Sequence, residues 1–310
     1  MKRLKCLIRW LAWEGLRTTE RILPIPCLAL LLLPIAAVLA LWEWGKLKNS
    51  SALLQHHSRR IFKLLQAPDA LPFRWYRQFI GRVALYLSRF IRYWPDRLNQ
   101  PCWSVRGRFH HKQRLEEALS TGRPIILATL HFGNLTELYH RLRAEEHPIA
   151  FLVYRDEQDY SYRDYLDELA DEANGLQGVC RRFYREELWE AREFLKSGNR
   201  LLAVAMEELE DRAIVAQGEL FSIPFATGAL RMAMISNAIV IPCITRATGV
   251  FRSETYFGES IPDEYVTSRK LHPLALEHVM RELSPWIIEN PEQCAPQLLA
   301  VMNPCLREAL

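Results

Sequence analysis

The sequence lacks the features that mark several common classes of protein. Its seven cysteines include no Cys-x-x-Cys pair and their number is odd, which argues against a zinc knuckle and a secreted disulfide framework and favours a reducing compartment. It has no internal repeat and no low-complexity segment. The net charge is only +4, and no nucleic-acid-binding motif is present. With 49% apolar residues among 310, the composition is that of a globular protein of one or two domains.

One long apolar run lies near the N-terminus. Residues 22–42 contain no charged side chain, and at 1.5 Å per residue a helix of this length could cross a hydrocarbon core about 30 Å thick. A signal peptide would have a shorter apolar region and a cleavage site, whereas this run ends in tryptophans typical of a membrane interface. A buried helix of a soluble domain is the other alternative. Three prolines in the run, and basic residues on both sides of it, leave spanning, re-entry and orientation open.

The second membrane signal is the segment from Arg74 to Trp94. On a helix, its arginines fall on one face and its aromatic and aliphatic residues fall on the other. This pattern predicts a helix in the interface of an anionic bilayer, with a surface helix packed on its own domain as the alternative. We therefore predict a membrane anchor over residues 1–48, a basic amphipathic region over 49–106 and a separate domain over 107–310.

The remainder of the chain alternates short apolar runs with amphipathic segments. This pattern predicts an α/β fold with a mainly parallel sheet flanked by helices. The predicted strands are Pro124–Leu130, Ile149–Tyr154, Leu201–Ala205 and Ala238–Thr245. The predicted helices are Leu135–Glu146, Tyr160–Ala173, Glu186–Lys196 and Gly228–Ser236.

His131 directly follows the first of these predicted strands. In parallel sheets, ligands bind where the carboxyl ends of strands meet the following loops. A histidine there can act as a general base if a carboxylate orients it, and Glu137 in the next helix is the nearest candidate. Gly133 would let the backbone approach a ligand closely, and Asn134 is a favourable N-cap for the helix.

Several blocks of this half resemble the bacterial lipid A late acyltransferases, which transfer lauroyl and myristoyl chains, within the wider glycerolipid acyltransferases. The blocks occur in the order found in that family and, with the N-terminal membrane segment, cover nearly the whole chain. They are Gly107–Arg123, Ala128–Asn134, Val153–Arg155, Phe221–Ala233 and Val240–Pro242.

The resemblance implies a membrane-bound O-acyltransferase at the cytoplasmic face of a bacterial inner membrane. It would move an acyl chain from acyl carrier protein or acyl-CoA to a hydroxyl of a lipid A-type glycolipid or related lipid, without a bound cofactor or metal. Its other partners would be membrane lipids and not nucleic acid, and the oligomeric state stays open. In this family His131 would be the general base and Glu137 its carboxylate. The predicted substrate-binding residues are Gly133, Asn134, Arg155, Glu207 and Arg231.

Three blocks depart from the family pattern. The acid is expected where Thr136 stands, and Glu137 comes one residue later, which on a regular helix turns the side chain by about 100°. An Asp-containing turn is replaced by the acid-rich segment Met206–Asp211, and the ending Pro-Glu-Gln-Trp is here Pro291–Cys294, with Cys in the last place. The alternative function is therefore an inactive homologue that binds lipid or acyl carrier protein. A soluble α/β hydrolase would need a nucleophile on a tight glycine-rich turn, which the sequence does not contain.

Overall fold

A computed structural model gives the fold of the chain's C-terminal two thirds and short stretches before it. The described residues are 27, 30–38, 40–41, 83, 107–133, 135, 138, 141–142, 145, 147–153, 180–208, 213–249 and 252–304. Residues 30–38 are helical, with Leu32 and Ala36 buried and Leu30 and Val38 exposing more than half of their surface. Within all these stretches, none of the helices is both long and apolar enough to cross a bilayer.

Most of the two predicted membrane regions lies outside the described residues. Of the predicted amphipathic helix only Val83 is described, as a buried helical residue. The longest described part of the chain begins at Gly107 with the first strand.

The described strands and helices alternate along this half. The strands are β1 (Gly107–His110), β2 (Ile125–Thr129), β3 (Ile149–Val153), β4 (Cys180–Tyr184), β5 (Leu201–Ala205), β6 (Ile214–Gln217), β7 (Phe221–Phe225), β8 (Ile239–Gly249), β9 (Arg252–Phe257) and β10 (Asn303–Pro304). The α-helices are α1 (Lys112–Ser120), α2 (Leu188–Lys196), α3 (Gly228–Ser236), α4 (Asp263–Thr267), α5 (His272–Glu289) and α6 (Pro296–Val301). Residues Arg185–Glu187, Arg269–Leu271 and Pro291–Gln293 form 3-10 turns.

The strands form one large and one small sheet. The large sheet has the order β1-β9-β8-β2-β5-β3-β4, in which β8, β2, β5, β3 and β4 run parallel. β9 returns antiparallel to β8, and β1 lies parallel to β9 at the edge. The small sheet, β10-β7-β6, is antiparallel. β2 therefore lies between β5 and β8 in the middle of the large sheet.

The predicted α/β fold with a mainly parallel sheet is confirmed. Every residue of β2 is buried, as expected for a central strand covered on both faces. Ile126 and Ala128 pack in a core with α2, α3 and α5, whereas Ile125 and Leu127 pack on the opposite face with α1. Because side chains alternate along a strand, one apolar run supplies both cores.

The apolar runs did not reveal all of the strands. The four predicted strands correspond to β2, β3, β5 and β8, whereas β1, β4, β6, β7, β9 and β10 were not predicted, and most of these are short or rich in polar residues, such as β4 (CRRFY) and β9 (RSETYF). The predicted helix Tyr160–Ala173 lies outside the described residues, whereas the predicted helices at 186–196 and 228–236 correspond to α2 and α3.

Candidate active site

The sheet register brings His131 beside Glu207. β2 and β5 are parallel neighbours, and their last paired residues are Thr129 and Ala205. Two residues further along each strand stand His131 and Glu207. Side chains that follow adjacent parallel strands leave the sheet at the same edge, where ligands bind in this class of fold.

Glu207 contacts both the backbone and the side chain of His131. Its Oε1 lies 2.7 Å from the imidazole Nδ1 and accepts a hydrogen bond of 2.6 Å from the His131 backbone N–H. A carboxylate in this position favours the tautomer with the proton on Nδ1, so that Nε2 carries the lone pair. The imidazole side chain is 48% exposed, whereas the Glu207 side chain is only 2% exposed. A buried carboxylate therefore orients an accessible base.

The loop carrying Glu207 is held on both sides by backbone hydrogen bonds. Met206 donates to the carbonyl of Thr129 (2.9 Å) and accepts from Ala226 (2.8 Å), and Glu208 donates to Pro224 (3.0 Å). These bonds join the end of β5 to the ends of β2 and β7. Backbone hydrogen bonds to both sheets therefore hold the main chain on either side of Glu207.

The second oxygen of Glu207 is unusual. Oε2 is buried and has no hydrogen-bond partner within the part of the chain that the structure describes. Burial of a carboxylate oxygen without a partner costs free energy, because the lost hydration is not replaced. In native proteins a group of this kind has a specific cause, such as a catalytic role or a bound water or ion.

Gly133 allows the loop after His131 to lie against β8. Its φ is +56°, in the left-handed region that favours glycine. A Cβ atom at this position would lie 2.0 Å from the carbonyl oxygen of Thr245. Any other residue would displace the loop from β8, and with it the backbone of His131.

A C-terminal segment covers the other side of this loop. The carbonyl of His131 accepts from the N–H of Ala295, and the N–H of Gly133 donates to the carbonyl of Gln293, each at 2.9 Å. Between these two bonds, Phe132 and Cys294 form an antiparallel bridge. The segment that departs from the family ending therefore lies directly on the candidate base loop.

An arginine that the sequence patterns did not indicate lies near the same loop. The Cα of Arg246 would be 3.1 Å from a Cβ on Gly133. Its guanidinium donates to Glu254 (2.9 Å) and to Glu289, and stacks over Trp286 at 4.5 Å. Burial raises the pKa of the Glu254 carboxyl, but hydrogen bonds from Arg246 and His110 outweigh burial and leave that pKa lowered. Arg246 is thus part of an internal ion-pair network.

The structure does not bring all predicted site residues together. Glu137, Asn134 and Arg155 lie outside the described residues. Arg231 is exposed on α3, where its charge adds to burial in lowering the pKa of His272. No hydrogen bond or ion pair joins Arg231 to His131 or Glu207 in the described part of the chain. Glu207, predicted to bind substrate, is instead the carboxylate partner of His131.

The sequence did not predict that Glu207 would be the partner of His131, because the prediction favoured an acid close to His131 in the chain. The available signal was its place directly after a buried strand, the same place that His131 occupies.

Among the described residues, no group of three or more His, Cys, Asp or Glu side chains could hold a metal ion. The chain matches no protein-family model and no curated protein.

Proposed function

We propose that the chain is a membrane-bound O-acyltransferase with a glycerolipid-acyltransferase-like catalytic domain. His131 is its general base, and Glu207 is the carboxylate that orients the base. The observation that carries the proposal is the 2.7 Å contact between Nδ1 of His131 and Oε1 of Glu207 at the carboxyl ends of adjacent parallel strands. The motif resemblance of residues 128–134 supplies the reaction class.

In the proposed reaction, a lipid hydroxyl attacks the carbonyl carbon of an acyl thioester. His131 Nε2 takes the hydroxyl proton as the new C–O bond forms, and the imidazolium is stabilised by the Glu207 carboxylate. Collapse of the tetrahedral intermediate breaks the C–S bond, and the imidazolium returns the proton to the leaving thiolate. The products are an acyl ester and a free thiol, and no acyl-enzyme forms.

The oxyanion of the intermediate needs a hydrogen-bond donor. The N–H of Gly133 already donates to the carbonyl of Gln293, so we assign Gly133 a conformational role. We propose the backbone amide of Asn134, the next residue in the chain, as the donor, and assign Arg155 to recognition of a phosphate on the acceptor or the carrier.

The proposed location is the cytoplasmic face of a bacterial inner membrane. Two features support contact with lipid: the apolar run 22–42, and the exposed aliphatic side chains within its helical part, among them Leu30 and Val38. We propose acyl carrier protein or acyl-CoA as the donor and a lipid A-type glycolipid or related polar lipid as the acceptor. The second candidate is a homologue that only binds lipid or acyl carrier protein, and the ordered His131–Glu207 pair favours the enzyme.

The proposal is tested by lipid mass spectrometry of a Gram-negative host. The host expresses the wild-type chain, His131→Ala or the control His147→Gln, at matched protein levels. His147 lies just before β3, at the opposite end of the parallel strands from His131. We expect a new acyl-ester lipid with the wild type and with His147→Gln, and none with His131→Ala.

The same three proteins are then purified and assayed with radiolabelled lauroyl- or myristoyl-acyl carrier protein and total lipid from that host. Equal transfer by His131→Ala and the wild type would refute His131 as the base. Binding of the acyl carrier protein by the wild type without any transfer would favour the binding protein.

A further inference from the structure

The side chain of Gln293 takes the place of a strand partner for β8. Its Oε1 accepts from the backbone N–H of Ala247, and its Nε2 donates to the carbonyl of the same residue, both at 2.7 Å. β2 pairs with β8 only as far as Pro242, so this contact lies beyond the end of that pairing. Gln293 is 5% exposed, and its carboxamide therefore satisfies backbone groups in a buried part of the sheet.

The backbone of the same residue holds the loop that carries His131. The carbonyl of Gln293 accepts the N–H of Gly133, and two residues further the N–H of Ala295 donates to the carbonyl of His131. Gln293 thus connects a central strand, through its side chain, to the candidate base loop, through its main chain. The backbone N–H of His131 is bound by Glu207 on the opposite side, so the histidine backbone is fixed from both directions.

We propose that Gln293 is a positioning residue that sets the distance between His131 and the acceptor hydroxyl; this inference rests on the proposed function. The carboxamide offers a donor and an acceptor side by side, which the N–H and C=O of Ala247 require. Removal of either hydrogen bond would let residues 291–295 move and would carry the base loop with them. A displacement of the base by about 1 Å can lower a rate about a hundredfold.

The first test is the Gln293→Glu variant, with Gln113→Glu as the matched control on the exposed face of α1. Above the pKa of the carboxyl that Gln293→Glu introduces, the carboxylate could accept from Ala247 but could not donate, so the assay is run up to the highest pH at which the wild type is stable. We expect kcat for transfer from lauroyl-acyl carrier protein to fall about ten- to a hundredfold, with KM for the donor changed less than about threefold. The control should keep the wild-type values.

The pH dependence separates positioning from a general loss of structure. A protonated carboxyl has one donor and one acceptor, like the carboxamide that it replaces. The ratio of Gln293→Glu to wild-type kcat should therefore rise as the pH falls, whereas Gln293→Met, which keeps the volume but has no polar group, should show no such rise. A Gln293→Glu ratio that is as low and as flat with pH as that of Gln293→Met, or a wild-type kcat in both variants, would overturn the proposal.

Hydrogen–deuterium exchange of the same proteins distinguishes this inference from the proposed function. The amide of Gly133 should exchange faster in both Gln293 variants than in the wild type and the control. A wild type that transfers no acyl chain would refute the proposed function, and faster exchange would still support the connection through Gln293. Unchanged exchange in folded variants would overturn the connection, whatever the activity of the wild type.

Discussion

Replacement of Glu207 by Gln should lower kcat for acyl transfer by about tenfold without lowering stability. Two N–H groups of His131 converge on Oε1 of Glu207, at 2.6 and 2.7 Å. Only the Nδ1 bond strengthens during the reaction, because only the imidazole gains charge. A hydrogen bond to a charged group is worth about 1–2 kcal/mol more than a neutral one, and about 1.4 kcal/mol corresponds to tenfold in rate.

The stability of Glu207→Gln should not fall along with its kcat. Oε2 of Glu207 is buried without a hydrogen-bond partner among the described residues. A neutral carboxamide removes the cost of burying that charge, although its amide group still needs a partner. We therefore expect the melting temperature of Glu207→Gln to equal or exceed that of the wild type. Glu207→Ala should lose about 3 kcal/mol of transition-state stabilisation, a little over a hundredfold in kcat, because both His131 donors lose their acceptor.

The assay is single-turnover transfer from radiolabelled lauroyl-acyl carrier protein, with melting temperatures measured on the same preparations. Glu277→Gln, on the exposed side of α5, is the matched control and should change neither quantity. A wild-type kcat in Glu207→Gln, or a loss of kcat that simply follows a loss of stability, would refute the role of Glu207.

Two further predictions concern the loop and the ion pairs around it. Gly133→Ala should lower the free energy of unfolding by about 2–4 kcal/mol, because its Cβ would meet a carbonyl of β8. Gly122→Ala, with a similar φ but open space around it, should cost only about 1 kcal/mol; equal losses in denaturant titrations would contradict the contact. Glu254→Gln should lower stability by about 1–2 kcal/mol at pH 7. Because the folded-state pKa of Glu254 lies below its usual value, this difference is present above pH about 4.3 and should disappear as the pH falls through the lowered pKa; a difference that persists in acid would contradict the pairing with Arg246.

The central strands and the place of His131 could be predicted because their signals are local. β5 is an unbroken apolar run and β2 is apolar except for its last residue, Thr129; short apolar runs of this kind indicate a buried parallel strand. The position of His131 after such a strand was enough to mark it as a candidate base. β9 could not be predicted in the same way, because its sequence, RSETYF, begins with four polar residues. Its place in the sheet depends on pairing with its antiparallel partner β8.

The partner of His131 depended on strand order, which local patterns do not contain. Sequence proximity favours Glu137, six residues along the chain. The described structure instead pairs His131 with Glu207, 76 residues away, because β5 lies next to β2 in the sheet.

By itself, the sequence determined the α/β class, the central strands and the candidate base, since each depends on residues close together in the chain. The tertiary structure decided which carboxylate orients that base and which C-terminal residue holds its loop. Both contacts join segments far apart in the chain. They exist because the register of parallel strands and the path of the chain after α5 bring those segments together.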